Sequence, residues 1–291
     1  MTFFVQSLFR ALSALPLPLL HAFGWLVGWA TFAAVTPFPT PVAQQRFAGR
    51  PPLRTALASV GESGKMLAET LVCGSGAPPS FDGMANTSSN RPFPTDRGCF
   101  SLTPHLGCFE ITAQALAARF GDRMPITVLY RPSRQPWLRD LVATARERPH
   151  LHTAPTTLAG VKQLIKALKT REAVGLLPDQ VPPHGQGVWA PFFGREAYTM
   201  TLSARLALTP GVQMVLIWGE RLSWGRGYLV HVRPYQVEGG LSKDAVTAAA
   251  QINRAMEELV RECPAQYIWS YDRYKNPHGS ASPAPEQTPS A

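Results

Sequence analysis

Residues 99–130 read CFSLTPHLGCFEITAQALAARFGDRMPITVLY, and the fold class follows from this stretch. Cys99–Thr103 is a short strand candidate that Pro104 ends, because proline has no N–H to give to a ladder. Phe109–Phe120 has the character of a helix, with Gly121 as its stop. Ile126–Tyr130 is a β-branched, apolar run, which predicts a buried strand. Strand, turn, helix and strand in such short compass read as a β-α-β unit.

The same alternation continues outward from that stretch. Residues 53–73 predict a helix, and Pro136–Arg148 predicts another with proline at its start. Thr157 predicts an N-cap for the helix LAGVKQLIKALKT, which puts Leu158, Val161, Leu164, Ile165 and Leu168 on one face. Ala173–Leu177 predicts a strand and Thr199–Leu208 a helix. Val212–Trp218 and Tyr228–Val232 predict strands, and Ser242 precedes a long helix through Arg261. The pattern argues for an α/β sheet covered by helices.

Composition excludes several classes. The chain has 291 residues, 45% apolar and 16% charged. A disordered chain needs low hydrophobicity and high charge, so that class is out. Four cysteines in this length do not make a disulfide framework. With 28 Lys+Arg against 19 Asp+Glu the net charge is +9. Such a balance points to anionic partners: phospholipid, phosphate-bearing substrate, nucleic acid or an acidic protein. The basic residues form no aromatic-interleaved stripe of the kind that binds nucleic acid.

The N-terminus differs from the rest. No Asp, Glu, Lys or Arg falls between Arg10 and Arg46, and inside that gap Leu17–Val35 reads LPLLHAFGWLVGWATFAAV. From Pro18 to Val35 there are 18 residues, about 27 Å of helix at roughly 1.5 Å each, which is marginal for a full span. A membrane anchor, spanning or re-entrant, is the leading reading. A secretory signal and a buried soluble helix are the others. The expected organisation is a membrane-associated segment over 1–45, a catalytic domain over 46–276 and a disordered Pro/Ser/Ala-rich tail over 277–291.

In open α/β sheets ligands gather at the carboxyl ends of strands. Three polar sites follow three predicted strands here: His105, Arg131, and Asp179 with Gln180. A His-x4-acid spacing arises readily by chance among 7 His and 19 acidic residues, so position carries the reading. If His105 sits in the turn and Glu110 on the first turn of the helix, the two can meet, and Gly107 gives the backbone room. A carboxylate on one ring nitrogen leaves the other nitrogen as a base. Cys108 reads as a small buried residue more readily than as a nucleophile. Arg131 suits a phosphate or carboxylate. Asp179 can orient a donor or bind an acceptor hydroxyl. The aromatic stretch Val188–Gly194 is either pocket wall or ordinary core. There is no zinc spacing, no Walker loop and no dinucleotide fingerprint.

These residues, taken in order, resemble the lipid A biosynthesis lauroyl/myristoyl acyltransferases of the lysophospholipid acyltransferase-like superfamily. The matching blocks are His105-x4-Glu110, Tyr130-Arg131-Pro132, Pro178-Asp179-Gln180, Pro191-Phe192-Phe193-Gly194 with Thr199, and Pro264-x-Gln266-Tyr267-x-Trp269 followed by Arg273-Tyr274-Lys275. Cys108 stands where that family usually has Asn. The resemblance implies a central mixed sheet flanked by helices, glycerolipid acyltransferase-like, with an N-terminal anchoring helix at the bacterial inner membrane and the catalytic domain facing the cytoplasm. It implies transfer of a fatty acyl chain from acyl carrier protein to a hydroxyl of an anionic lipid A precursor, without metal, bound cofactor or nucleic acid. His105 would be the base and Glu110 its partner, while Arg131, Asp179 and Gln180 would bind the acceptor. An acyltransferase acting on a lysophospholipid or glycolipid is the alternative.

Overall fold

In a computed structural model of the chain, the residues described are Leu12, 14–34, 52–73, 95–130 and 148–277. In chain order they form α1 (Leu17–Ala34), α2 (Pro52–Cys73), β1 (Cys99–Leu102), α3 (Phe109–Phe120), β2 (Ile126–Tyr130), β3 (Leu151–Pro155), α4 (Leu158–Lys169), β4 (Ala173–Leu176), β5 (Gly187–Phe192), β6 (Arg195–Met200), α5 (Leu202–Ala207), β7 (Gln213–Arg221), β8 (Tyr228–Tyr235) and α6 (Ala245–Glu262).

Six strands make the central sheet, in the order β3-β2-β4-β1-β7-β8. Five run parallel and β8 returns antiparallel at the edge, so the sheet is mixed, as expected. Parallel neighbours need crossovers, and among the described residues α3 lies between β1 and β2 in the chain and α4 between β3 and β4. Side chains alternate across the pleat. On one face Phe100, Leu102, Val174, Leu176 and Leu216 pack with Leu164 and Leu168 of α4 and Ile252, Met256 and Leu259 of α6. On the other face Cys99, Ala173, Val215 and Ile217 pack with Ile111, Ala115 and Leu116 of α3. Thr157 caps α4, accepting from the Gly160 N–H at 3.3 Å, and Asp244 caps α6, accepting from Thr247 N–H at 2.9 Å.

Two expectations need correction. Residues 199 and 200 belong to a strand, and the helix expected over Thr199–Leu208 begins only at Leu202. Tyr198 and Thr199 pair across a hairpin with Trp189 and Val188, a pairing in keeping with the strand preference of Tyr and Thr. The hairpin turns at Phe193 (φ 48°) and Gly194 (φ 75°), the two positive-φ residues that a tight two-residue loop demands. Strand β3 is also new: its sequence, LHTAP, has too little alternation to be recognised alone. The helix expected over 136–148 falls almost wholly outside the described residues, as do most of the 277–291 tail and the segment between residues 34 and 52.

Helices α1 and α2 pair antiparallel through glycine. A Cβ on Gly24 would lie 2.8 Å from the Gly64 carbonyl oxygen, and one on Gly28 would lie 2.5 Å from that of Val60. The pair is tied to the sheet by a buried charge cluster. Arg221, at the end of β7, donates to both Glu69 oxygens at 2.7 and 2.6 Å and to Glu62. His21 of α1 reaches Glu69 at 2.7 Å. Burial would raise the Glu69 carboxyl, but the Arg221 charge and hydrogen bonds, helped by His21, hold it down at about 2.

Candidate active site

The site lies at the carboxyl ends of β1 and β4, which are neighbours in the sheet although they are far apart in sequence. Leu102 and Leu176 are register partners. Just beyond them the chain leaves each strand through a proline, Pro104 on one side and Pro178 on the other. His105 and Asp179 therefore emerge side by side.

The loop carrying His105 is held from three directions. The Gly107 N–H donates to the Gln266 carbonyl at 3.0 Å, and the Cys108 N–H donates to that of Gly219 at 2.9 Å. The Ile268 N–H donates to the His105 carbonyl at 3.1 Å. Gly107 has φ of 58°, and a Cβ there would lie 1.9 Å from the Gly219 oxygen. No other residue fits, which is the room the sequence reading asked of this glycine. Cys108 is buried and ends the loop as the residue before α3.

Asp179 grips His105 with both oxygens. Oδ1 is 2.8 Å from the ring Nδ1, and Oδ2 accepts from the His105 backbone N–H at 2.8 Å. The Asp179 side chain is fully buried, while that of His105 retains 15% of its exposure. Burial works to raise the Asp179 carboxyl; His105, and more remotely Arg273, outweigh it and leave the group below its ordinary range. An ionised carboxylate only accepts, so Nδ1 must carry the ring proton and Nε2 presents its lone pair. The Gln180 side-chain amide sits 3.1 Å from Nε2, in position to donate to it. The Phe109 ring packs on the imidazole with centroids 4.8 Å apart.

The sequence reading paired His105 with Glu110. Glu110 does stand on the first turn of α3, as expected, and it faces a cavity of about 80 Å³ between α3 and the sheet. The carboxylate on the ring nitrogen, however, is Asp179. The cavity walls are mainly apolar, with Phe109, Leu116, Ile126, Val128, Leu151 and Ile217 beside Ser101 and Thr103. The 188–194 stretch is not among them: Ala190, Phe192 and Phe193 are core. Arg131 lies outside the described residues.

Residues to which sequence reasoning gave no role brace the site from the C-terminal side. The Gln266 side chain clasps the Arg221 backbone, accepting from its N–H and donating to its carbonyl, both at 2.9 Å. The buried Tyr267 phenol is pushed well above its ordinary range by burial and by the Asp179 carboxylate, to which it hydrogen-bonds. The Tyr271 hydroxyl accepts from the Val181 N–H at 2.9 Å, just past Gln180. Arg273 is buried and donates to the Tyr198 carbonyl and to Thr199 Oγ1, both at 2.8 Å. The dense aromatic and basic run over 264–275 was the available signal for this buttress.

Chemically, the arrangement is a tautomer-fixed imidazole with a desolvated carboxylate behind it, and an apolar cavity bordered by Thr103 and Phe109 lies under the same loop. That equipment suits deprotonation of a hydroxyl next to a hydrocarbon chain. Residues 94–276 match the family model described as bacterial lipid A biosynthesis acyltransferase. The chain is 31% identical over 179 residues to the lipid A biosynthesis lauroyltransferase of Escherichia coli (strain K12), a match covering 61% of this chain and 58% of that one. It is 29% identical over 189 residues to the palmitoleoyltransferase of the same strain, covering 64% and 59%. A lipid A biosynthesis acyltransferase of Haemophilus influenzae is 27% identical over 149 residues, covering 50% and 45%. The matches thus span less than three fifths of the length of these relatives. With the family model covering well over half of its residues, the chain belongs to the bacterial lipid A biosynthesis acyltransferase family.

Proposed function

We propose that this chain moves a fatty acyl group from the thioester of acyl carrier protein to a hydroxyl of a lipid A precursor at the cytoplasmic face of the inner membrane. The observation that carries the reading is the two-point grip of Asp179 on His105, which leaves the Nε2 lone pair free to take a proton; an apolar cavity opens behind Thr103 and Phe109, on either side of the His105 loop. The acceptor hydroxyl displaces the Gln180 amide and gives its proton to Nε2. Its oxygen bonds to the thioester carbonyl carbon, the C–S bond breaks, and the thiolate leaves with the proton from the imidazolium. No covalent acyl-enzyme forms.

Asp179 stabilises the imidazolium that develops in this scheme. Glu110 stands on the cavity wall, where it faces the space proposed for the acyl chain. The first-turn N–H groups of α3 point along the positive end of the helix dipole, where an oxyanion gains most. The cavity receives part of the acyl chain, and Arg131 meets acceptor phosphate. Helix α1 supplies the membrane contact. It is long and apolar enough to cross a bilayer, and only 17% of it is buried.

The test is purified full-length protein with a panel of acyl-carrier-protein thioesters and lipid acceptors, products being weighed by mass spectrometry. Acylation of a lipid A precursor that His105→Ala abolishes is the expected result. Transfer only to lysophospholipid or glycolipid would reassign the acceptor. Near-normal turnover by His105→Ala would remove the base.

A further inference from the structure

Helix α1 has two faces. Leu20, His21 and Gly24 are buried toward α2, while Leu15, Leu19, Phe23 and Leu26 are 38%, 57%, 44% and 61% exposed. The spacing of four and three sets Leu19, Phe23 and Leu26 in one stripe on the opposite side of the helix, and exposed Leu15 lies just before its first turn. At the N-terminal end of that stripe stands a turn from the other end of the chain's core. Gly225 packs so closely on the start of α1 that a Cβ there would lie 2.5 Å from the Pro18 nitrogen.

The residue before it, Trp224, is 89% exposed, the most exposed large apolar side chain among the described residues. It also holds φ 61° and ψ 25°, a left-handed conformation that a bulky residue adopts only at a cost. Among the described residues, none covers the ring and repays that cost. The turn is nonetheless made rigid. Arg226 donates to the Ser223 carbonyl at 3.1 Å and to the Ser223 hydroxyl at 3.2 Å, and the Leu222 N–H donates to the Gly227 carbonyl at 3.0 Å. A fixed, projecting indole beside an exposed arginine, packed through Gly225 on the start of an apolar helix, has the chemistry of an interfacial anchor on an anionic bilayer.

We propose that the Trp224 turn inserts into the headgroup region of an anionic phospholipid membrane, as a second contact that joins the α1 stripe to the sheet domain. This deepens the membrane placement proposed above and rests on it. Because α1 is locked to α2 and, through His21 and Glu69, to Arg221, insertion of the stripe carries the Trp224 turn to the same lipid surface.

The experiment uses full-length protein and vesicles of phosphatidylethanolamine with phosphatidylglycerol. At limiting lipid, Trp224→Gly, which suits the left-handed turn, should bind on the order of tenfold more weakly than wild type. With brominated acyl chains in the vesicles, the fluorescence component that is missing in Trp224→Phe should be quenched. If wild type floats with the vesicles but that component is unquenched, the Trp224 proposal is overturned and the α1 anchor stands. If wild type does not float at all, the membrane placement itself fails. If, without lipid, sedimentation finds wild type dimeric and Trp224→Gly monomeric, the ring covers a second copy and the lipid assignment is wrong.

Discussion

Replacing Asp179 by Asn tests the charge relation at the centre of the site with almost no change of shape. The carboxylate contacts Nδ1 and the His105 N–H, both at 2.8 Å, from a side chain that has no exposure. With charge centres about 4 Å apart and an effective dielectric of about 20, the attraction to an imidazolium is roughly 4 kcal/mol. At about 1.36 kcal/mol per tenfold, its loss slows turnover by about a thousandfold. The tautomer argues in the same direction. Asn has one accepting oxygen for two donors, so if that oxygen keeps the backbone N–H, its NH2 faces Nδ1 and moves the ring proton to Nε2. The base is then blocked. Initial rates with saturating donor should show the loss in kcat, and the melting temperature should stay close to wild type. An Asp179→Asn enzyme within about threefold of wild-type kcat would refute both the electrostatic and the tautomer reasoning.

Glu110→Gln should also lower the rate strongly, measured in the same assay; an effect on melting alone would make Glu110 structural. Arg221→Ala strands a buried Glu69 charge and should destabilise by about 3–5 kcal/mol in denaturant titration, whereas Arg221→Met with Glu69→Leu should recover most of that. Glu69 lies below its unfolded value of 4.5, at about 2, so its contribution is present above pH 4.5 and is lost as the pH falls through 2. The loss is on the order of 3 kcal/mol, read as an acid-side fall in melting temperature that Glu69→Gln should flatten. Gly107→Ala must move the Gly219 carbonyl or the His105 loop, so activity should drop well before the fold is lost.

Much of the architecture was legible because the sheet is parallel and buried. The runs CFSL, ITVLY and AVGL are apolar on both faces, and only a covered sheet tolerates that. The β5–β6 hairpin was not legible, because Pro191 interrupts the first strand's run and the second is only six residues long and runs straight into α5. The position of the site was legible from polar residues placed after apolar runs. The partner of His105 was not. Glu110 is the acid close by in sequence, and only the β1–β4 register brings Asp179 onto the ring nitrogen. Gln266, Tyr267 and Arg273 stood out in sequence only as a block, and their bracing role was hidden because it runs through backbone carbonyls and buried oxygens.

The juxtaposition of β1 and β4 sets a folding condition on reactivity. Acid and base reside on separate ribbons that meet only when the middle of the sheet zips in its native alignment. A slip of one residue would displace the carboxylate by about 3.3 Å and turn it to the opposite side. A nascent or half-assembled chain therefore holds an imidazole without its carboxylate, and the pair exists only once the sheet is complete.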